Sequence, residues 1–164
     1  MNVTITTDAS YSAKHNRGTY AFYISSNAGR MSKSGELRKK CSSPSEAEIK
    51  CIINALVFLS QQEDIFSKCK DVHINTDSMN AIHIWKHDKV AIRKYRLKNL
   101  SKMMYGSRMQ IKKLFSGKKI FLVHVKGHDD TNMASRSRAN AMCDAAAKIE
   151  MGILINKLEG NEKG

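Results

Sequence analysis

Four acidic side chains stand where a carboxylate could do chemistry: Asp8, Glu48, Asp77 and Asp144. Asp8 and Asp77 each follow a short strand-like run, Val3 to Thr7 and Asp71 to Thr76. Glu48 lies one turn into an expected helix, and Asp144 lies within another. If the two strands are parallel neighbours, Asp8 and Asp77 emerge side by side at a sheet edge, where open α/β sheets place ligands. Carboxylates gathered there repel, and ionising them together requires a counter-charge. An oxygen-only ligand set suits Mg²⁺, or Mn²⁺, rather than zinc. Two such ions about 3.5–4 Å apart can activate a water and stabilise the leaving oxygen in phosphodiester cleavage. Any one of these acids alone reads as a solvated cap; the set points to a metal centre.

The elements that must carry these acids can be read from the pattern of residues. Val3 to Thr7 alternates like a half-buried strand that ends at Asp8. Gly18 to Ser25 is aromatic and β-branched, Asn27-Ala28-Gly29 is a turn signal, and a third, more polar strand runs to about Arg38. Ser42-Ser43-Pro44-Ser45-Glu46 opens a helix, with either a proline just inside the start or a serine cap after it. Ile49, Ile52, Ile53, Leu56 and Leu59 recur at helical spacing and should face the core. A strand over Asp71 to Thr76 and a helix over Ser78 to His87 follow. Lys89 to Leu114 reads as helical and basic, with Gly106 as a candidate break. Lys119 to Val125 reads as the last strand, Lys126 to Arg136 as a polar loop, and Ser137 to Met151 as an alanine-rich helix. The expectation is one α/β domain over residues 1–151 with a mixed sheet, followed by a frayed tail over 152–164.

The helix start holds two glutamates, Glu46 and Glu48. Two residues turn a helix by about 200°, so only one of them can face a site.

Charge is the informative total. Lys and Arg number 28 against 15 Asp and Glu, a formal excess of +13. From Lys86 to Lys119 there are 12 Lys or Arg and one acid, Asp88. Clustering of this kind favours a polyanionic partner over a merely soluble basic surface, because phosphate neutralisation releases counterions. Cys41, Cys51, Cys69 and Cys143 form no Cys-x-x-Cys pair and are expected as reduced, buried thiols. No apolar run suits a membrane span and the N-terminus lacks the order of a signal peptide, so a cytoplasmic protein is expected.

Five short motifs, in order, carry a family resemblance. Thr6-Thr7-Asp8-Ala9-Ser10, Ser45-Glu46-Ala47-Glu48 with Ala55-Leu56 after it, Asn75-Thr76-Asp77-Ser78, Val125-Lys126-Gly127-His128 and Asn140-Ala141-Met142-Cys143-Asp144 resemble the motifs of type 1 ribonuclease H. The resemblance implies the ribonuclease H-like fold: three antiparallel strands, then two parallel ones, helices around them and a basic helical protrusion. It implies Asp8, Glu48, Asp77 and Asp144 as catalytic, metal-binding acids, and favours Glu48 over Glu46. It also implies His128 as a mobile loop histidine assisting proton transfer or product release. The expected reaction is cleavage of the RNA strand of RNA–DNA hybrids, leaving a 5′-phosphate and a 3′-hydroxyl.

The basic segment takes the place of the family's hybrid-gripping protrusion, with Lys86, Lys89, Arg93, Lys94, Arg96 and Lys98 as candidate contacts. Ser43 falls where the family has a phosphate-contacting threonine, and Ser45 where it often has an asparagine near RNA 2′-hydroxyls. Met79 stands where a glutamine is common, and Asp129 to Arg138 is longer than usual. The chain opens on its first strand, so no separate hybrid-binding domain is expected before it. Two competing readings are a nuclease of this fold acting on DNA, in the manner of a junction resolvase, and a non-catalytic nucleic-acid-binding module. A monomer is expected.

Overall fold

The computed structural model describes residues 1–125 and 135–163. Their order is β1 (Asn2–Ser12), β2 (Arg17–Ser26), β3 (Gly29–Glu36), α1 (Pro44–Ser60), α2 (Glu63–Phe66), β4 (Asp71–Thr76), α3 (Met79–Lys86), α4 (Lys89–Lys94), α5 (Lys98–Leu114), β5 (Lys119–His124) and α6 (Ser135–Lys163). Among the described residues the sheet has five strands in the order β3-β2-β1-β4-β5. The first three pair antiparallel, and β4 and β5 join parallel to β1. This is the mixed α/β sheet that the alternating segments lead one to expect.

Strand alternation sorts the two faces. Val3, Ile5 and Thr7 of β1, with Tyr20, Phe22 and Ile24 of β2, turn to the face covered by α1. That face holds the main core, where Ile49, Ile52, Leu56 and Leu59 are almost wholly buried and Ile53 packs alongside. Ala21 meets Cys143 and Ala147 of α6 on the other face. Gly18 permits a close approach: a Cβ there would lie 3.0 Å from Leu37 Cδ1 and 3.1 Å from Ala47 Cβ. Ala47 precedes Glu48, so this contact fixes how near the helix carrying that glutamate comes to the sheet.

Several boundaries differ from the sequence expectation. β1 does not stop at Asp8 but continues to Ser12, because the hairpin with β2 runs on to the pair Ser12 and Arg17. Ser43 caps α1, its Oγ accepting from the Glu46 N–H at 3.1 Å, and Pro44 is the first helical residue. The basic segment breaks at Tyr95 to Leu97 rather than at Gly106, with Arg96 in the left-handed region at φ 56°. The last helix does not end at Met151. It continues to Lys163, and Leu154 is buried while Lys157 and Glu159 pair with Glu36 and Lys14. Among the described residues no helix is long and apolar enough to cross a membrane.

Candidate metal centre

The site forms where β1 and β4 part. Their parallel pairing ends at Thr6 with Asn75, so the next residues, Thr7 beside Thr76 and then Asp8 beside Asp77, lie at an open fork. Alternation turns Thr7 and Thr76 to the α1 face, and Asp8, the next residue of β1, away from it. Glu48 arrives from α1 beneath this fork. Asp8, Glu48 and Asp77 each bring a carboxylate oxygen within 4.8 Å of the others. A small cleft beside them is lined by Thr7, Asp8, Asp77, Val125 and Asn140.

Asp144 sits next to this trio but is not one of the three at that spacing. Its charge contributes to the rise in the Asp8 pKa, and its Oδ2 accepts from Lys148 Nζ at 2.9 Å, one helical turn on. Two buried thiols tie the helices to β1 close by. Cys51 Sγ of α1 donates to the Asp8 carbonyl at 3.3 Å, and Cys143 Sγ of α6 donates to the Thr6 carbonyl at 3.5 Å. Burial, with Asp8 and Glu48 nearby, pushes the Cys143 thiol up to about 12, so it remains a neutral thiol. All four cysteines are free and buried, in line with their irregular spacing.

The electrostatics are those of carboxylates crowded together and partly withdrawn from water. Burial raises Asp8 from 3.8 to about 8, with Asp77, Glu48 and then Asp144 adding repulsion against one opposing hydrogen bond from the Ala9 N–H. Burial also raises Glu48 from 4.5 to about 7. Asp77 adds to that rise, while the Thr76 and Thr7 hydroxyls counter it. A compact, all-oxygen set whose acids resist ionising together fits hard divalent cations, whose charge would offset the repulsion.

Glu46, the rival on the same helix, points elsewhere. Its carboxylate accepts from the Ser42 hydroxyl at 2.8 Å and from Lys50 Nζ at 2.7 Å. Burial opposes its charge, but these partners prevail and hold its pKa below the ordinary value. It therefore closes the helix start, and Glu48 alone of the two reaches the trio.

The basic protrusion is built from α3, α4 and the start of α5. Trp85 is buried, and its carbonyl accepts from the buried Arg108 Nε at 2.7 Å, which ties α5 to α3. His87 at φ 53° ends α3, and Asp88 caps α4 by accepting from the Ala91 N–H. Lys86, Lys89, Arg93, Lys94, Arg96 and Lys98 are all exposed. Tyr95 stacks on His83 at 5.4 Å between centroids, with Lys94 over its ring. Ser45 Oγ accepts from Asn80 Nδ2 at 3.0 Å, and Met79 is exposed beside that pair. His124 is exposed on β5. His128 lies outside the described residues, as do Lys126 and Gly127 of its motif.

Comparison with known proteins decides the family. The RNase H family model matches residues 1–151. The chain belongs to the RNase H family. Among solved structures, the PFV RNase H domain is 17% identical, with a TM-score of 0.63 over 92% of this chain and 94% of that one. RNase H1 from the halophilic archaeon Halobacterium salinarum NRC-1 is 15% identical, with a TM-score of 0.56 over 90% and 98%. LC11-RNase H1 from a compost metagenome, solved in complex with an RNA/DNA hybrid, is 15% identical, with a TM-score of 0.55 over 91% and 99%. These superpositions show a shared RNase H fold. No curated protein matches the chain by sequence.

The roles of Thr7 and Thr76 are not evident from the sequence expectation. The signal is nonetheless present: a Thr-Asp pair ends both strand motifs, at Thr7-Asp8 and Thr76-Asp77.

Proposed function

We propose that this RNase H family chain is a metal-dependent endonuclease that hydrolyses the RNA strand of RNA–DNA hybrids. The observation that carries this reading is the convergence of Asp8, Glu48 and Asp77, from three separate elements, within 4.8 Å. Asp8, Glu48, Asp77 and Asp144 are proposed to hold two divalent cations, Mg²⁺ or alternatively Mn²⁺. When bound, such ions supply an activated water and charge stabilisation for the leaving oxygen. The protein's own work is to orient the carboxylates, keep the site narrow and bring the substrate. Lys148 beside Asp144 supplies part of the local positive charge.

The exposed cations of α3, α4 and α5, Lys86, Lys89, Arg93, Lys94, Arg96 and Lys98, are proposed to meet phosphates of the hybrid. Ser43 and Ser45, at the start of α1, stand on the same sheet end as Glu48 and are proposed to approach the substrate backbone and ribose. Contacts to the 2′-hydroxyl in a shallow minor groove tell RNA from DNA. His128 is proposed to move a proton or assist product release from its loop. The hybrid held by LC11-RNase H1, which shares this fold, supports the choice of substrate. The products are proposed to carry 5′-phosphates and 3′-hydroxyls.

The test is a strand-labelled panel of hybrid, duplex RNA, duplex DNA and four-way junction, each with Mg²⁺ or Mn²⁺. Cleavage confined to the RNA strand of the hybrid supports the proposal. Cutting of the junction alone would move the chain to the resolvase reading. Hybrid binding with no cleavage under either metal would leave only a binding module.

A further inference from the structure

We propose that Thr7 and Thr76 are positioning residues that decide which oxygen of Glu48 faces the cations, an inference that rests on the metal-dependent reading above. Glu48 is only 4% exposed, and both hydroxyls reach the same carboxylate atom. Thr7 Oγ1 donates to Glu48 Oε1 at 2.9 Å, and Thr76 Oγ1 donates to that oxygen at 2.8 Å. A carboxylate oxygen has about two lone-pair sites. Two donors converging on Oε1 fix the carboxylate's rotation and direct Oε2 toward the cations as the ligand oxygen.

The two hydroxyls are not equivalent. Thr76 Oγ1 accepts from the Ser78 N–H at 3.2 Å, which leaves its own hydrogen for Glu48. Ser78 in turn caps α3 and directly follows Asp77. Thr7 has a second acceptor within reach, the Asn75 carbonyl at 3.4 Å, and is the less committed donor. The chain thus runs from the start of α3 through Thr76 to the glutamate. Because β1 and β4 are parallel neighbours, one repeated Thr-Asp pair brings two aspartates into the acidic cluster. The same two pairs supply the orienting hydroxyls for the third acid, Glu48.

Outer-shell partners of this kind typically change metal affinity about 10–100-fold when removed. Titration calorimetry with Mn²⁺ on wild type, Thr76→Val, Thr7→Val, Thr76→Ala and Thr76→Ser reads the effect without turnover. Thr76→Val and Thr76→Ala should weaken binding at least about tenfold, Thr7→Val should weaken it less, and Thr76→Ser should stay near wild type. In the cleavage assay the metal concentration for half-activity should rise in step, while kcat at saturating metal recovers. A merely structural role would lower melting temperature in EDTA and leave that split absent. If Thr76→Val cannot be obtained folded, the Ala and Ser pair differ at the hydroxyl and answer the same question. Equal Mn²⁺ affinity in Thr76→Ala, Thr76→Ser and wild type would overturn the proposal while leaving the metal-dependent reading intact. A wild type that neither binds Mn²⁺ nor cleaves would overturn both.

Discussion

Asp8→Asn should gain stability relative to wild type in the metal-free protein as pH rises, and the size of the effect follows from the site. Asp8 is raised from 3.8 to about 8, chiefly by burial and by Asp77 and Glu48. A carboxyl whose pKa is higher in the folded than in the unfolded chain stabilises the fold below its unfolded pKa. That contribution is lost as pH climbs toward the folded value. Here the window runs from about pH 4 to about pH 8. Between pH 5 and pH 8, about three units at roughly 1.4 kcal/mol each set an upper bound of ~4 kcal/mol. Asp8 is partly open to solvent and Asp77 is exposed, so screening reduces this to about 1–2 kcal/mol. Asparagine keeps the shape and removes the titration. Urea unfolding in EDTA, followed by circular dichroism at pH 5 and pH 8, should show the variant gaining on wild type by that amount. Adding excess Mg²⁺ at pH 8 should favour wild type again, because a ligand that binds only the native state stabilises it. A stability difference that stays constant across the two pH values, with or without Mg²⁺, would refute the charge-repulsion reasoning.

Other perturbations address the remaining parts. Replacing Lys94, Arg96 and Lys98 together by alanine should weaken hybrid binding and reduce its log–log salt slope by about 0.9 for each phosphate no longer neutralised. Fluorescence anisotropy across a salt series reads this, and an unchanged slope would remove that surface from the interface. Ser43→Ala should lower stability by about 1 kcal/mol through loss of the α1 cap. A shift in the urea midpoint would show this, and no shift would mean that the cap contributes nothing. His128→Ala should slow turnover of hybrid without eliminating it, and an unchanged steady-state rate would exclude that side chain from the reaction.

Much of the site is legible in the sequence because it is local. Each acid sits in a short stretch whose pattern names its element, and strand order then brings Asp8 to Asp77. The choice between Glu46 and Glu48 needs the resemblance, because helical rotation separates them without saying which faces inward. The structure supplies the physical reason: Ser42 and Lys50 claim Glu46 at the helix start. Non-local pairing is harder to read. The alternation of β1 predicts an end at the acid, yet its hairpin with β2 carries it four residues further, because pairing with β2 outlasts pairing with β4. The break between α4 and α5 carries no glycine or proline to announce it; Arg96 turns the chain instead. The four-residue α2 is too short to show a period. Gly152 reads as a helix end, but Leu154 buries itself and the helix persists. The hydroxyl pair on Glu48 becomes visible only once two strands and a helix are placed together.

The most direct measurement is anomalous diffraction from crystals soaked in Mn²⁺. The arrangement predicts a strong peak bounded by the carboxylates of Asp8, Glu48 and Asp77, with Asp144 alongside, and its loss in Asp77→Asn. Wild-type crystals with ordered Mn²⁺ elsewhere and nothing among these acids would contradict a metal centre at this fork.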